Sequence, residues 1–282
     1  MKRQNIATLS FVVGFWLVAW IAPATGEFSS GPTDVKPSNN EGRESRTPVV
    51  VELFTSEGCS DCPPADKVLS WLAESQPVKD AEIIPLSEHV DYWNHLGWSD
   101  PYSSSAFSER QRDYSNSLGS EVYTPQMIVD GTVEFVGSDA GKALKAISSE
   151  SRTPRITVNL HPISRAGASE RNSVSFSVRV GTLPPLDPKT RGQVFLAVTE
   201  DNLQSSVARG ENSGRTLAHT AVVRELKTIG KLNARPDAAF VAEPTIEISR
   251  EWKRQDLRAI VFVEAQGTHR ILGAAETHIP SL

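Results

Sequence analysis

The apolar segments of this chain change character near residue 151, and that change constrains the fold more than any other feature. Before it, runs typical of buried strands alternate with segments of helical spacing, from the valine-rich residues 48–54 to a short helix over 138–150. After it, short alternating runs are separated by turn residues, which is typical of a sandwich of strands. The sequence therefore predicts an α/β domain over residues 48–151 and an all-β sandwich-like domain over 152–282.

The N-terminal residues are expected to lie outside both domains. A positively charged start and an apolar run over residues 11–21 precede small residues around Ala24, a pattern typical of a signal peptide. The run is shorter than the roughly 20 residues that a membrane span needs. We therefore predict a signal peptide over residues 1–24, with an uncleaved anchor as the alternative, and, from its polar composition, a disordered linker over 25–47. The mature protein should be exported, periplasmic or secreted, without stable membrane insertion.

Charge narrows the range of partners. The chain has 282 residues and a formal net charge of −5, without a strong basic patch, so nucleic acid is excluded as an expected partner. No cofactor or bound metal is expected, and the oligomeric state stays open.

Both cysteines of the chain, Cys59 and Cys62, lie in the stretch GCSDCPPA. A disulfide between them would close a very small loop, worth about 2 kcal/mol, so a stabilising cross-link is a poor explanation. A closed zinc site needs four ligands, and no second cysteine pair is present. Reversible disulfide chemistry is the favoured interpretation, with exported protein thiols and disulfides as partners.

The position of the pair assigns roles to its members. The cysteines lie between a predicted strand and the N-terminus of a predicted helix, where partial positive charge favours thiolate. Cys59 is expected to be the exposed attacking sulfur and Cys62 the resolving sulfur. Ser60 and Asp61, between them, are expected to contact the substrate. Acidic residues in this stretch oppose the helix dipole, so the redox direction stays open.

The stretch YTPQMIVDG supplies a second part of the predicted site. Pro125 directly precedes an apolar strand, and a cis bond between Thr124 and Pro125 would leave the Thr124 backbone free to pair with an extended substrate. Pro125 is therefore predicted to shape the binding edge, and Thr124 to bind substrate there.

Over residues 48–150 the chain resembles the thioredoxin superfamily, through VELFTSEGCSDC and YTPQMIVDG. More closely, ELFTSEGCSDCPPAD, HVDYWNHLGWSDP, SERQRDY, YTPQMIVDG and GENSGRTLAHTAVVREL resemble the exported family called domain of unknown function 1223. The resemblance implies a thioredoxin-like domain followed by a β-rich domain. Glu52 takes the place where thioredoxins hold a buried carboxylate behind the cysteines. Among apolar neighbours its pKa would be raised and it could pass protons to Cys62; alternatively, it points from the sheet edge to solvent.

Two other functions stay open at this point. His89 follows the second predicted strand and could modulate the Cys59 thiolate, or join both sulfurs as a ligand of a copper-handling protein. Alternatively, the chain is a binding module without redox activity. Arg215 and His219 lie in a polar segment that could bind an acidic group or face the first domain, although a solvated loop between domains is the simpler prediction.

Overall fold

The computed structural model describes residues 46–163, 172–181, 191–232 and 239–280. They belong to one compact unit, Arg43–Leu282. Within these ranges no helix combines the length and the apolar character needed to cross a membrane. The predicted signal peptide and almost all of the predicted linker lie outside the described residues.

The first half of the described chain has the order of elements that the sequence predicted. The first helix begins at Cys62 and has prolines in its first turn, where helical N–H groups lack partners. The second helix begins after Ser104, whose hydroxyl accepts a hydrogen bond from the Ala106 N–H, and ends at Gly119 with a left-handed φ of 67°. The elements are β1 (Thr47–Thr55), α1 (Cys62–Ser75), β2 (Ala81–His89), α2 (Ser105–Leu118), β3 (Gln126–Val129), β4 (Val133–Val136) and α3 (Ala140–Glu150).

The second half consists mainly of strands, as predicted. The sequence did not predict the small hairpin of β8 and β9, which pair only with each other. The strands are β5 (Val158–Ile163), β6 (Ser173–Val180), β7 (Gly192–Glu200), β8 (Leu203–Ser206), β9 (Thr216–His219), β10 (Val222–Leu232), β11 (Phe240–Ala242), β12 (Thr245–Glu247), β13 (Leu257–Ala265) and β14 (Ile271–His278).

The predicted fold class, an α/β thioredoxin-like domain followed by an all-β sandwich-like domain, is wrong because both halves build one mixed sheet. Among the described residues, eight strands join in the order β14-β13-β7-β10-β2-β1-β3-β4. The halves meet where β10 pairs parallel with β2 through Val222 and Ser87, and the Ser87 N–H donates to the Ala221 carbonyl at 2.8 Å. The division of the chain into residues 48–151 and 152–282 stays a prediction.

Each face of the large sheet is covered by different elements. Val51 and Leu53 of β1 pack with α1 and α3, whereas Phe54 packs against Tyr114 of α2 on the opposite face. The apolar cluster under α2 continues from β1 to Phe262 of β13, so it spans both halves. The smaller sheet of β5, β6, β11 and β12 packs against β7 and β13. Side chains along β1 point alternately to the two faces of the sheet. Only those on the face that α1 covers can therefore approach the cysteines at the start of α1.

Candidate functional site

The two cysteines form a disulfide at the N-terminus of α1. Their Cα atoms are 5.4 Å apart, and a turn in which the Cys59 N–H donates to the Ser56 carbonyl leads into the helix. Cys62 is completely buried and Cys59 is 2% exposed. The prediction that Cys59 is exposed is therefore wrong for the disulfide form, because neighbouring segments cover it. Cys59 is nevertheless the less buried sulfur of the pair.

The first covering segment is the predicted substrate edge. The Cys59 sulfur lies 3.8 Å from the carbonyl oxygen of Thr124, and the Thr124–Pro125 bond is cis, as predicted. The Trp93 indole N–H donates to the Thr124 hydroxyl at 2.8 Å and so ties the loop after β2 to this edge. Gly58 lets Trp93 pack close to the cysteine loop, because a Cβ at position 58 would lie only 3.0 Å from the Cβ of Trp93.

The second covering segment is the loop between β8 and β9, from the other half of the chain. The buried Asn212 amide donates to the carbonyls of Glu57 and Cys59, both at 2.9 Å. The Glu211 carboxylate accepts from the exposed Ser60 N–H at 3.0 Å. Two neighbouring residues of this loop thus contact the backbone just before and just after Cys59.

A buried polar cluster lies beneath the cysteine loop. The Glu57 carboxylate accepts from the Trp98 indole N–H at 2.7 Å and lies 3.0 Å from Nε2 of His219. The other ring nitrogen of His219 is 4.0 Å from an Asp66 carboxylate oxygen. Asp66 also accepts from the Thr55 hydroxyl at 2.9 Å. His219 is 3% exposed, so the prediction of a solvated loop at this position is wrong, and the alternative that it faces the first half is confirmed.

His89 belongs to the same cluster. Its Nδ1 lies 2.7 Å from an Asp100 carboxylate oxygen, and its ring centroid is 4.9 Å from that of His219. Nε2 of His89 and Nδ1 of His219 are buried without a hydrogen-bond partner. Within the described ranges, no group of three or more His, Cys, Asp or Glu side chains is arranged to hold a metal ion. His89 is therefore best described as a partner of Asp100, and the copper-handling interpretation gains no support.

Burial and neighbouring charges set the protonation of this cluster. Burial raises the pKa of Asp66, and His219 and His89 only partly offset it. Burial lowers the pKa of His89, but the carboxylates of Asp100, Asp66 and Glu57 more than compensate and leave it above the ordinary 6.5. Burial raises the pKa of Asp100, but His89 and hydrogen bonds from the Glu57 and Tyr102 N–H groups hold it below its ordinary value.

The raised pKa of His89 predicts how stability depends on pH. Because the folded-state pKa lies above the unfolded value of 6.5, the stabilisation is complete below about pH 6.5 and is lost as pH rises through the folded pKa. His89→Gln should remove this component, which is at most about 1.4 kcal/mol per pH unit for one proton. Urea unfolding across the range from pH 6 to pH 9 measures the slope. His95→Gln is the control, because His95 is exposed in the loop after β2. Equal slopes in wild type and His89→Gln would contradict the prediction.

Glu52 is buried, but its contacts differ from those implied by the resemblance. It faces α2, where it accepts from Nε of Arg110 at 2.7 Å and from the Tyr114 hydroxyl. The cysteine-bearing helix α1 packs on the opposite face of β1. The contacts therefore make Glu52 part of a buried ion cluster rather than a proton donor to Cys62, and the buried acid of the cysteine-bearing helix is Asp66.

The two residues between the cysteines, which were predicted to contact the substrate, lie on the surface. Ser60 and Asp61 are both exposed, and the Asp61 side chain makes no capping hydrogen bond to α1. Sequence reasoning missed Asn212 as a contact of the cysteine loop and missed Asp66 as a buried acid of the cysteine-bearing helix. Asp66 follows Cys62 by four residues, a spacing that places both on one face of a helix, so this signal was present in the sequence. Nothing near Asn212 in the sequence indicates its partners.

Two solved structures are similar to this chain in fold. The chain is similar in structure to a structural-genomics target from Agrobacterium tumefaciens, with a TM-score of 0.59 and 25% identity over 85% of this chain and 97% of that chain. It shares its fold with HBP35 of Porphyromonas gingivalis, with a TM-score of 0.62 and 16% identity over 83% of this chain and 76% of that chain. No curated protein matches.

The family comparison confirms the closer of the two resemblances. Residues 50–264 match the family model described as a protein of unknown function, DUF1223. The matched range includes the cysteine pair, Thr124 and Pro125, the loop between β8 and β9, and His219. The chain belongs to the DUF1223 family.

Proposed function

We propose that this protein is an exported thiol–disulfide oxidoreductase that exchanges electrons with protein partners through Cys59 and Cys62. The observation that carries the proposal is the closed disulfide at the N-terminus of α1, with its Cys59 sulfur against the Thr124 carbonyl. A bond that spans three residues stabilises the fold by only about 2 kcal/mol, so reversible chemistry explains it better than stapling does. A closed disulfide also fits an oxidising compartment, periplasmic or extracellular.

The exchange begins at the less buried sulfur. A partner thiolate attacks Cys59, a new bond joins the partner sulfur to Cys59, and the bond to Cys62 breaks. Cys62 leaves as a thiolate and takes up a proton. A second partner thiolate then attacks the partner sulfur of the mixed disulfide and releases Cys59, which is also protonated. The partner loses two electrons and two protons, and the cysteine pair gains both. The reverse sequence reduces the pair's substrate.

Asp66 is the proposed proton donor to the leaving Cys62. Residues four apart on a helix are neighbours, and both of these residues lie on the buried face of α1. Burial raises the pKa of Asp66, which favours a carboxyl that still holds a proton when the sulfur leaves. His219 lies between the two buried acids, 4.0 Å from Asp66 and 3.0 Å from Glu57, and so connects the proposed donor to the rest of the cluster.

The surface around Cys59 is the proposed substrate contact. Ser60 and Asp61 are exposed beside the pair, and the Thr124 carbonyl, which directly precedes Pro125, lies 3.8 Å from the Cys59 sulfur. This arrangement supports an extended segment of a partner protein as the substrate.

Turnover of a protein disulfide by dithiothreitol tests the proposed function. The purified mature protein should accelerate reduction of insulin disulfides, and both Cys59→Ser and Cys62→Ser should abolish the acceleration. Asp66→Asn should slow it by roughly 10²-fold, the lower range for a lost general acid. Glu74→Gln is the control, because Glu74 is an exposed acid on the same helix. A wild-type protein that gives no acceleration would support a binding module instead. Equal rates in Asp66→Asn and Glu74→Gln would remove Asp66 from the mechanism.

A further inference from the structure

We propose that Asn212 is a positioning residue for the redox pair, which holds the cysteine loop in the form that closes the disulfide. The inference rests on the proposed function and names a determinant of it in the second half of the chain. Asn212 lies about 150 residues from the cysteines, yet its side-chain hydrogen bonds go to the carbonyls on either side of Gly58 and to Arg215.

The chemistry of the amide makes this contact specific. Both Nδ2–H bonds are used, one to the Glu57 carbonyl and one to the Cys59 carbonyl, each at 2.9 Å. The amide oxygen accepts from an Arg215 guanidinium N–H, also at 2.9 Å. Since Asn212 is completely buried, water cannot replace these partners. An aspartate of the same shape has no N–H to donate and would place its carboxylate oxygens against two carbonyl oxygens.

The bonded carbonyls belong to the turn that brings the sulfurs together. The Cys59 carbonyl accepts from the Asn212 amide and also from the Cys62 N–H, at 3.3 Å, so it connects the two cysteines through the backbone. The disulfide requires this turn, with the Cα atoms 5.4 Å apart. Without the Asn212 bonds the segment would gain backbone freedom, and that freedom favours the open dithiol over the closed ring.

Contacts of the residues next to Asn212 also hold the cysteine loop. Glu211, next to Asn212, accepts from the Ser60 N–H between the cysteines. A Cβ at Gly210, one residue earlier, would lie 3.3 Å from the Trp98 Cβ, so this loop also packs closely against the segment after β2. Asn212 is therefore placed by the surrounding loop, and it acts on the sulfurs through the backbone of residues 57–59.

Equilibration of the full-length mature protein with glutathione buffers tests this role. The readout is the fraction of dithiol, measured by alkylation in acid-quenched samples. Asn212→Asp should shift the equilibrium constant at least tenfold toward the dithiol, and Asn212→Ala should shift it in the same direction. Ser213→Ala is the matched control, because the exposed Ser213 hydroxyl bonds only within its own loop, to the Ala208 carbonyl. The control should titrate as wild type.

The outcomes separate this inference from the function on which it rests. If glutathione reduces the wild-type pair and both Asn212 variants at the same ratio of reduced to oxidised glutathione, the positioning role is overturned and the proposed function survives. Equal losses of thermal stability in the oxidised and reduced forms, with an unchanged ratio, would show a purely structural role and also overturn it. If glutathione cannot reduce the wild-type pair at any ratio, the proposed function fails, and this inference fails with it.

Discussion

Replacing Arg110 by methionine is expected to lower the free energy of unfolding by about 3–5 kcal/mol, because it leaves buried carboxylates without their counter-ion. Arg110 lies on α2 with a side chain that is 9% exposed. Its guanidinium contacts Glu52 of β1 at 2.7 Å and Glu264 of β13 at 2.8 Å. Since these acids come from different halves of the chain, the loss should weaken the whole sheet.

A third buried acid near Arg110 increases the loss of stability expected in Arg110→Met. Glu88 of β2 is completely buried and has an oxygen 3.5 Å from Arg110, without a hydrogen bond to it. Burial, together with nearby Glu52, raises the pKa of Glu88 well above its usual range, although Arg110 partly lowers it. Without Arg110, which lowers the pKa of both Glu88 and Glu264, those two pKa values should rise. The variant's loss of stability should therefore shrink as pH falls and these two carboxylates take up protons.

Urea unfolding at neutral and acidic pH measures both parts of this prediction. The control is Arg112→Met, because Arg112 is 53% exposed and its ion pair with exposed Glu109 spans 4.0 Å. A surface pair of this kind should change stability by less than about 0.5 kcal/mol. A loss in Arg110→Met no larger than that of the control would contradict the view that this cluster ties the halves together.

Much of the local structure could be predicted because periodicity is a local signal. The predicted strand at 48–54 is β1 (Thr47–Thr55), and the helix predicted directly after the cysteines is α1 (Cys62–Ser75). The helix predicted at 138–150 is α3 (Ala140–Glu150). The spacing of apolar residues shows whether a segment is a helix or a strand and which of its faces is buried. It does so whatever distant part of the chain packs against that face.

The joining of the two halves could not be predicted, because no local pattern encodes pairing between distant strands. Pro85 in β2 lacks an N–H, which is typical of an edge strand. In the structure, β10 nevertheless pairs with β2, although the register contains only Val222 and Ser87. This one short pairing makes the large sheet continuous through both halves of the chain.

The same limit applies to the candidate site. The cysteine pair and the Thr124–Pro125 edge are contiguous motifs, so their residues could be named from sequence. The buried cluster instead combines Asp66 of α1 with His219 of β9, and a polar segment in the sequence resembles a solvated loop whether or not another part of the chain covers it. Burial of that kind depends on tertiary packing.

The largest functional effect is expected from replacing one cysteine at a time. In Cys62→Ser, the reduced Cys59 thiolate should attack a partner disulfide and form a mixed disulfide, while one partner sulfur leaves as a thiolate. With no second sulfur, the mixed disulfide should persist. In Cys59→Ser, the remaining Cys62 is completely buried and should capture no partner. The difference follows from their placement, since Cys59 precedes α1 and Cys62 begins it.

Trapping of mixed disulfides in the cell tests the central claim most directly. Each variant is expressed with its own N-terminal segment, thiols are alkylated during acid quenching, and adducts are resolved on non-reducing gels and identified by mass spectrometry. The account predicts abundant adducts linked through Cys59 in Cys62→Ser, and none in Cys59→Ser or in the double variant. Adducts in Cys59→Ser alone would reverse the roles of the two sulfurs. An absence of adducts in both single variants would contradict exchange with protein partners.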